Sequence, residues 1–267
     1  MSLIHLLILA IIQGLTEFLP VSSSGHLILV PLLTGQPDQG QAIDVAVHIG
    51  TLGAVILYFW KDVKVALKGC LDILTGKFRT RAARFATLLI IATIPVIIAG
   101  LILKITGYSE AMRSIKVIGW AMLIFGIVLY FADQKGAQSK QSGDWNLADA
   151  IKMGLWQTLA LIPGTSRSGI TITAARQLGY SREDGARIAM LMSIPTIIAS
   201  AVLLGAEVIS TADMQMAKDS AIAAVFAFIA ALFALSLMMK LLKTISFTPY
   251  VIYRIVLGVV LLWIAYS

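Results

Sequence analysis

The chain has 267 residues, of which 58% are hydrophobic and only 13% are charged. Soluble domains contain about 45–50% apolar and about 25% charged residues. The composition therefore indicates a polytopic membrane protein and excludes a soluble enzyme, a disordered chain and a disulfide scaffold. The formal net charge of +7 has to be read loop by loop, because the placement of lysine and arginine sets the orientation of the membrane spans; it does not indicate nucleic-acid binding.

Six apolar segments are long enough to cross a bilayer, which needs about 20 residues. In chain order they cover residues 41–60, 85–105, 115–132, 185–206, 220–239 and 249–266. We therefore predict an all-α polytopic membrane protein that forms a single integral membrane domain over residues 1–267.

Two further apolar segments are interrupted by polar residues. Each consists of an apolar helix, a polar break and a short apolar arm. In the first segment these cover residues 3–19, 20–26 and 27–33, and in the second they cover residues 150–162, 163–169 and 170–178. At about 1.5 Å per residue the second arms reach about half of the hydrocarbon core. This length favours re-entrant helical hairpins over kinked full spans, with tips that need protein or water around them.

The two breaks align without a gap at an offset of 144 residues, so that Ser22 meets Ser166. The two halves of the repeat, residues 1–135 and 145–267, then each contain one re-entrant hairpin and three transmembrane helices. Because three is odd, the second half enters the membrane upside down relative to the first. The sequence therefore predicts an inverted-topology repeat, in which interrupted helices meet near the midplane.

Loop charges predict the orientation. Between Lys61 and Arg84 seven basic residues stand against two acidic ones, whereas the segment from Glu207 to Asp219 holds three acidic residues and one basic residue. The first loop is expected in the cytoplasm and the second outside. The first hairpin then enters from the outer face and the second from the cytoplasm, so their tips can meet.

Polar and ionisable side chains at membrane depth are functional candidates, and here they concentrate at the two breaks. With the helix before it, the first break supplies Gln13, Glu17, Ser22, Ser23, Ser24, Gly25 and His26. The second supplies Gln157, Gly164, Thr165, Ser166, Arg167, Ser168 and Thr171.

These residue types suit a phosphate group. Gly25 frees the backbone for an unusual turn before a helix, and a helix N-terminus with free N–H groups attracts phosphate. Arg167 offers a planar fork that binds phosphate bidentately. Helix capping is the alternative for the serines, and a structural ion pair with Arg167 is the alternative for Glu17. His26 can be a general acid, a base or a nucleophile, whereas His48 is expected to pack or to support other residues.

With these residues placed, the chain resembles the bacitracin-resistance family of undecaprenyl-diphosphate phosphatases over essentially its whole length. The family motif (Glu/Gln)-x-x-x-Glu corresponds to Gln13 and Glu17 and continues to His26, and the motif Pro-Gly-x-Ser-Arg-Ser-x-x-Thr corresponds to Pro163–Thr171. The resemblance implies hydrolysis of a C55 isoprenoid diphosphate to the monophosphate in the bacterial cytoplasmic membrane, which recycles the carrier for peptidoglycan. It also implies two re-entrant hairpins and a homodimer.

The catalytic candidates are Glu17, Ser23, His26 and Arg167, and the substrate-binding candidates are Gln13, Ser22, Ser24, Gly25, Gly164, Thr165, Ser166, Ser168 and Thr171. We favour Ser23 as the nucleophile, with His26 and Glu17 moving protons; attack by His26 or by water activated by Glu17 stays open. No Cys or His pair has metal-ligand spacing. A divalent cation, Mg²⁺ or Ca²⁺, bridging Glu17 and the phosphates is the one cofactor that remains possible. The site is expected to open to the outer, periplasmic face.

An inverted-repeat transporter or flippase of a lipid phosphate or organic anion is the alternative function, because such proteins also use broken midplane helices. Release of inorganic phosphate without a gradient would separate the two. Lipid phosphatases of the acid-phosphatase type need a second histidine after the Ser-Arg element. No histidine follows His48, which excludes that class.

Overall fold

The structure is a computed structural model that describes residues 2–35, 39–108, 112–209 and 214–267, with side chains for all of these except 32–34 and 205–209. The α-helices are α1 Leu3–Glu17, α2 Ser23–Thr34, α3 Gly40–Tyr58, α4 Trp60–Leu74, α5 Arg81–Thr106, α6 Ile115–Lys135, α7 Leu147–Thr158, α8 Arg167–Gln177, α9 Arg182–Ile209, α10 Met214–Leu241 and α11 Thr248–Tyr266. Short 3₁₀ turns, Ser142–Asp144 and Leu159–Leu161, flank α7. The all-α prediction is confirmed.

Six of these helices, α3, α5, α6, α9, α10 and α11, are long and apolar enough to cross a membrane. They coincide with the six predicted spans to within a few residues, which confirms a multi-pass membrane protein. Their outward faces carry exposed large apolar side chains such as Ile98, Leu101 and Ile105. Apolar patches of this extent are rare on soluble monomers, and they suit contact with lipid.

The segment between the first two spans contains a helix that the sequence pattern did not predict, α4, Trp60–Leu74. Val63, Gly69 and Asp72 are buried on one side of α4, which packs along α5. The apolar residues of this helix alternate with lysines, which obscured the helical pattern. Of the residues used to predict the outer loop, Asp213 lies outside the described residues.

The first helix of each polar break packs along a span that is distant in sequence. Helix α1 lies along α10, and helix α7 lies along α5. A Cβ atom on Gly14 would come within 2.6 Å of the Ala227 carbonyl oxygen, and one on Gly154 within 2.6 Å of the Ala92 carbonyl oxygen. Backbones approach this closely only where both helices present small residues, as is common in membrane helix packing.

A buried carboxylate joins four helical segments at one end of the molecule. Asp133 of α6, which is 2% exposed, accepts hydrogen bonds from Arg176 Nε at 3.2 Å, from Arg182 Nε at 2.7 Å and from the Phe247 N–H at 3.1 Å. These donors belong to α8, to the start of α9 and to the residue before α11. The network fixes where α8 ends, and thereby where its other end enters the site.

Close backbone contact predicts which glycines tolerate a side chain. A Cβ on Gly50 of α3 would lie 2.1 Å from the Ala224 carbonyl oxygen of α10, whereas a Cβ on Gly143 meets no atom within 4 Å. We expect Gly50→Ala to destabilise the protein by about 1–3 kcal/mol, the usual cost of overpacking, and Gly143→Ala to be neutral. Thermal unfolding of both variants in detergent measures this; equal midpoints would contradict the close α3–α10 contact.

Candidate active site

Glu17, the last residue of α1, is the centre of a polar cluster. Its side chain is 5% exposed. Oε2 accepts hydrogen bonds from Gln13 Nε2 at 2.8 Å and from Ser23 Oγ at 2.7 Å, and Oε1 accepts one from Arg167 Nη2 at 2.5 Å. Gln13 lies one helical turn before Glu17, on the same face of α1. The structure thus brings four of the predicted site residues together on one carboxylate.

Helix ends position this cluster. Ser23 is the first residue of α2 and Arg167 is the first residue of α8, so both side chains leave the chain where a polar break becomes a helix. A helix N-terminus has unpaired N–H groups and a positive partial charge. Two such ends meeting at Glu17 make the region attractive to an anion beyond the charge of Arg167 itself.

The two breaks share one backbone conformation, a serine with positive φ that caps the following helix. Ser22 with φ 72° and Ser166 with φ 70° are the non-glycine residues of the described chain that have positive φ. Each caps the helix that follows: Ser22 Oγ accepts from the Gly25 N–H at 3.4 Å, and Ser166 Oγ accepts from the Gly169 N–H at 3.1 Å. Both serines therefore act as helix caps, and their predicted role in substrate binding stays a prediction. Strained backbone of this kind is concentrated at functional sites.

The serines two positions later differ in surroundings. Ser24 is exposed and its Oγ lies 3.2 Å from Ser22 Oγ. Ser168 is buried; its Oγ lies 3.0 Å from Ser166 Oγ and donates to the Leu19 carbonyl at 2.9 Å. Ser168 therefore links the second break to the first, whereas Ser24 remains accessible to a ligand.

Two other predicted binding residues, Thr171 and Gly164, make structural contacts. The Thr171 hydroxyl is buried and donates to the carbonyls of Arg167 at 2.8 Å and Ser168 at 3.2 Å, so it supports the start of α8. Gly164 has φ +93°, and a Cβ there would lie 2.5 Å from the Ile118 carbonyl oxygen. Both residues shape the second break, and the Thr171 hydroxyl is already bonded within the chain.

Several buried polar atoms around the cluster have no hydrogen-bond partner. They include Arg167 Nη1, Thr165 Oγ1 and Gln13 Oε1. A buried donor without a partner costs about 1–3 kcal/mol, which a ligand with several acceptor oxygens would remove for Arg167 and Thr165. The unpaired Nη1 of Arg167, beside Glu17, is a donor that an incoming phosphate oxygen would accept from.

His26 lies apart from the carboxylate cluster. Its Nδ1 is 2.7 Å from the Ser22 carbonyl oxygen and its Nε2 is 2.6 Å from the Tyr253 hydroxyl. Within the described residues, no hydrogen bond joins His26 to Glu17 or Ser23. Tyr253, on α11, was not predicted from the sequence.

Two further residues bear on the site: His48, which the sequence indicated as a packing or supporting residue, and Arg254, which was missed. His48 Nε2 lies 3.7 Å from Glu17 Oε2, so this histidine lies beside the carboxylate, as a supporting role requires. Arg254 on α11 is fully buried and donates to the carbonyls of Pro20 at 3.4 Å, Gly164 at 3.1 Å and Thr165 at 2.9 Å. An arginine inside an apolar span was a visible signal, but its partners were not.

The described residues contain no group of three or more His, Cys, Asp or Glu side chains that could hold a metal ion. Glu17 is the carboxylate of the cluster, and three donors already contact it. A hard cation commonly binds through one or two carboxylates and substrate phosphates. The donor set therefore fits a divalent cation only if phosphate oxygens complete its coordination.

Comparison with known proteins identifies the family of the chain. The family model described as "Bacitracin resistance protein BacA" matches residues 6–260. The chain belongs to the BacA family. The two motifs that carry the family resemblance are the two breaks whose side chains meet at Glu17.

Relatives named as undecaprenyl-diphosphatases match the BacA-family chain along its whole length. The protein of Jannaschia sp. (strain CCS1) is 69% identical over 267 residues, and that of Ruegeria pomeroyi is 67% identical, each with full coverage of both chains. "Undecaprenyl-diphosphatase 1" of Rhodospirillum rubrum is 45% identical and covers 100% of this chain and 96% of its own.

The spare nitrogen of Arg167 leads to a binding prediction. We expect inorganic pyrophosphate to raise the thermal midpoint of the purified protein, because a ligand of the folded state stabilises it by mass action. Arg167→Lys keeps the charge but loses the fork. It should weaken the affinity at least tenfold, about 1.4 kcal/mol.

Arg79→Lys is the matched control, because Arg79 is exposed and lies outside the cluster. Titration of the midpoint against pyrophosphate concentration gives both affinities. An unchanged affinity in Arg167→Lys would mean that recognition by the guanidinium fork is wrong.

Proposed function

We propose that this protein hydrolyses undecaprenyl diphosphate to undecaprenyl phosphate and inorganic phosphate, as the names of its relatives state for them. The observation that carries the proposal is the contact of Ser23, Glu17 and Arg167. A hydroxyl group donates to a buried carboxylate, and the same carboxylate is held by a guanidinium whose other nitrogen is unpaired.

This arrangement suits attack on phosphorus. A nucleophile and its base are recognised by hydrogen-bond distance between them, and Ser23 Oγ lies 2.7 Å from Glu17 Oε2. As Ser23 Oγ bonds to the terminal phosphorus, the bond from that phosphorus to the bridging oxygen breaks. The serine proton passes to Glu17, and the lipid leaves as its monophosphate. Water attack on the phosphoserine completes the hydrolysis.

Positive charge supports the transfer. Phosphoryl transfer depends mainly on positioning and on stabilising the charge of the phosphoryl oxygens. Arg167 donates one hydrogen bond to Glu17 through Nη2, and its Nη1 is left without a partner to face the phosphate. Arg254 brings a second buried positive charge to the two breaks, where its hydrogen bonds go to main-chain carbonyls. With one carboxylate and two arginines, the site has the excess positive charge that a diphosphate needs.

The proposed topology is an inverted repeat in which each half has one re-entrant hairpin and three transmembrane helices. The twin capping turns of Ser22 and Ser166 support the repeat. Support for re-entry comes from the second hairpin, because the Tyr180 hydroxyl beyond the end of α8 donates to Asp149 at the start of α7 at 2.6 Å. An arm that crossed the bilayer would separate these ends.

Tyr180 also lies outside the six spans, and burial together with the hydrogen bond to Asp149 raises the pKa of its phenol. It therefore stays a neutral donor at physiological pH. The hydrogen bond from Tyr180 to Asp149 therefore keeps its donor proton.

We place the basic segment between Lys61 and Arg84 in the cytoplasm, following the excess of basic residues in it. Arg187 at the start of α9 forms a bidentate pair with Asp62 of α4, at 2.6 and 3.2 Å, which is consistent with a cytoplasmic start of α9. The first hairpin then enters from outside, and the site opens to the periplasmic face of the bacterial cytoplasmic membrane. The homodimer implied by the family stays a prediction.

A transporter or flippase of a lipid phosphate remains the second candidate, because broken helices that meet in the interior also serve transport. The Ser23–Glu17 contact favours hydrolysis, since transport needs no activated hydroxyl group. The decisive experiment is phosphate release from a C55 isoprenoid diphosphate by purified protein in detergent, with and without a chelator. Release without any gradient supports the phosphatase; no release supports transport. Loss on chelation, restored by Mg²⁺ or Ca²⁺, would support a cation shared by Glu17 and the substrate.

The cluster predicts unequal effects of its two α1 residues. Glu17→Gln removes the proton acceptor of Ser23, and general acid–base catalysis contributes about 10²–10⁴-fold. We expect kcat to fall at least 100-fold. Gln13→Ala removes one hydrogen bond to Glu17 and should cost less than tenfold. Steady-state phosphate release measures both variants, and equal small losses would return Glu17 to a structural role.

The proposed orientation makes a labelling prediction. Cys70, an exposed free cysteine of α4, is the one cysteine of the sequence. A membrane-impermeant thiol reagent should miss Cys70 in intact cells and label it after permeabilisation. In a Cys70→Ser background it should label Thr106→Cys, because Thr106 is exposed at the far end of α5. Labelling of Cys70 in intact cells would invert the topology.

A further inference from the structure

Tyr253 of α11 contacts the imidazole of His26 although 227 residues separate them. The Tyr253 hydroxyl lies 2.6 Å from His26 Nε2, and the two ring planes are within 4° of parallel. Tyr253 is 46% exposed, so this contact lies at the edge of the protein and not in its packed core. Packing alone does not account for a short, directed hydrogen bond at such a position.

The second nitrogen of His26 determines how the contact works. His26 Nδ1 is 2.7 Å from the Ser22 carbonyl oxygen, which can only accept. Nδ1 therefore carries a proton, and in neutral His26 the lone pair is on Nε2. The Tyr253 hydroxyl then donates to Nε2. The pair of contacts selects one tautomer and one orientation of the ring.

A phenol hydroxyl group can serve both protonation states of His26. It donates to Nε2 when the imidazole is neutral and accepts from Nε2–H when the imidazole is charged. The Ser22 carbonyl accepts from Nδ1–H in both states. The ring therefore keeps both partners when it gains or loses a proton, and only the hydroxyl hydrogen of Tyr253 turns.

The position of Tyr253 is itself fixed by its neighbour. Arg254 is fully buried and donates to the carbonyls of Pro20, Gly164 and Thr165, so this turn of α11 is held against both breaks. Successive residues of a helix point about 100° apart. With Arg254 anchored inside, Tyr253 faces α2, where His26 lies.

In the proposed reaction His26 and Glu17 then accept different protons, in different steps. Ser23 already donates to Glu17, so the proton of the attacking hydroxyl group has an acceptor without His26. Hydrolysis of the phosphoserine needs an acceptor for a second proton, that of the attacking water. His26 Nε2 can take that proton once the Tyr253 hydroxyl turns from donor to acceptor, and the Glu17 cluster does not use this nitrogen.

We propose that Tyr253 is a positioning residue that holds His26 in its Nδ1–H tautomer and in one orientation through proton transfer. The proposal rests on the proposed phosphatase function. It concerns α11, which carries no part of the two sequence motifs. Tyr253 acts through His26 and is not expected to contact phosphorus.

The kinetic test is Tyr253→Phe, which keeps the ring and removes the hydroxyl group. We expect kcat for a C55 isoprenoid diphosphate to fall about tenfold or more, with KM changed less than about twofold, because binding of the diphosphate is left intact. Tyr250→Phe is the matched control: Tyr250 lies one turn earlier on α11, packs against Phe247 and is partly buried. It should behave as the unmodified protein. A packing role of Tyr253 would leave Tyr253→Phe fully active.

A second measurement does not require turnover. The chain has three histidines, so ¹⁵N-histidine labelling gives few signals, and a His26→Gln variant assigns those of His26. We expect His26 to show the Nδ1–H tautomer. In Tyr253→Phe its Nε2 signal should move downfield, because the nitrogen loses a donor, while the signals of His5 and His48 stay unchanged and report an intact fold.

The outcomes separate this proposal from the phosphatase itself. Release of phosphate by the unmodified protein, with normal kcat in Tyr253→Phe, overturns the role of Tyr253 and leaves the function standing. An unmoved Nε2 signal in Tyr253→Phe also overturns it, because the contact is then absent. If the unmodified protein releases no phosphate, the phosphatase fails and the positioning role fails with it, even where the spectra show the contact.

Discussion

Two stretches of non-helical backbone meet in the interior of this protein, and their carbonyl groups need donors there. Arg254 supplies them to both stretches: it donates to the carbonyl of Pro20 in the first and to those of Gly164 and Thr165 in the second. Ser168 adds a bond from the second stretch to the first. The distance between the breaks is thereby fixed, and the contact of Glu17 with the opposite side of the site depends on that distance.

The hydrogen bonds of Arg254 to backbone carbonyls leave its positive charge without a counter-ion among the described residues. An arginine that bonds to carbonyls satisfies the backbone but does not lose its charge, and a buried charge without a counter-ion is costly. Arg167 is neutralised by Glu17, so the positive charge of Arg254 remains for the site as a whole. An anionic ligand removes this cost. The interaction that completes the fold of the breaks therefore also gives the proposed site a positive charge that a negatively charged group would complement.

The sequence predicts those parts of the protein that depend on local properties. Span length, polar breaks within apolar helices and the repeated serines are readable from neighbouring residues, and they led to Glu17, Ser23 and Arg167. Helix α4 was missed because lysines interrupt its apolar face. Tyr253 and Arg254 were missed for another reason: their partners lie 227 and 234 residues away, and only the packing of α11 against both breaks brings them there.

The two breaks also explain how one repeated device produces a site with two different halves. At the offset of 144 residues, Ser22 matches Ser166, and both have the same cap and the same positive φ. The next residues of the two breaks, Ser23 and Arg167, occupy equivalent first positions of α2 and α8, and both contact Glu17. Their chemistry differs: in the proposed mechanism Ser23 supplies the attacking hydroxyl group, and Arg167 is the cation. In the proposed repeat, equivalent positions therefore meet on one carboxylate with a hydroxyl group on one side and a guanidinium on the other. The difference between these two residues is what the proposed reaction uses.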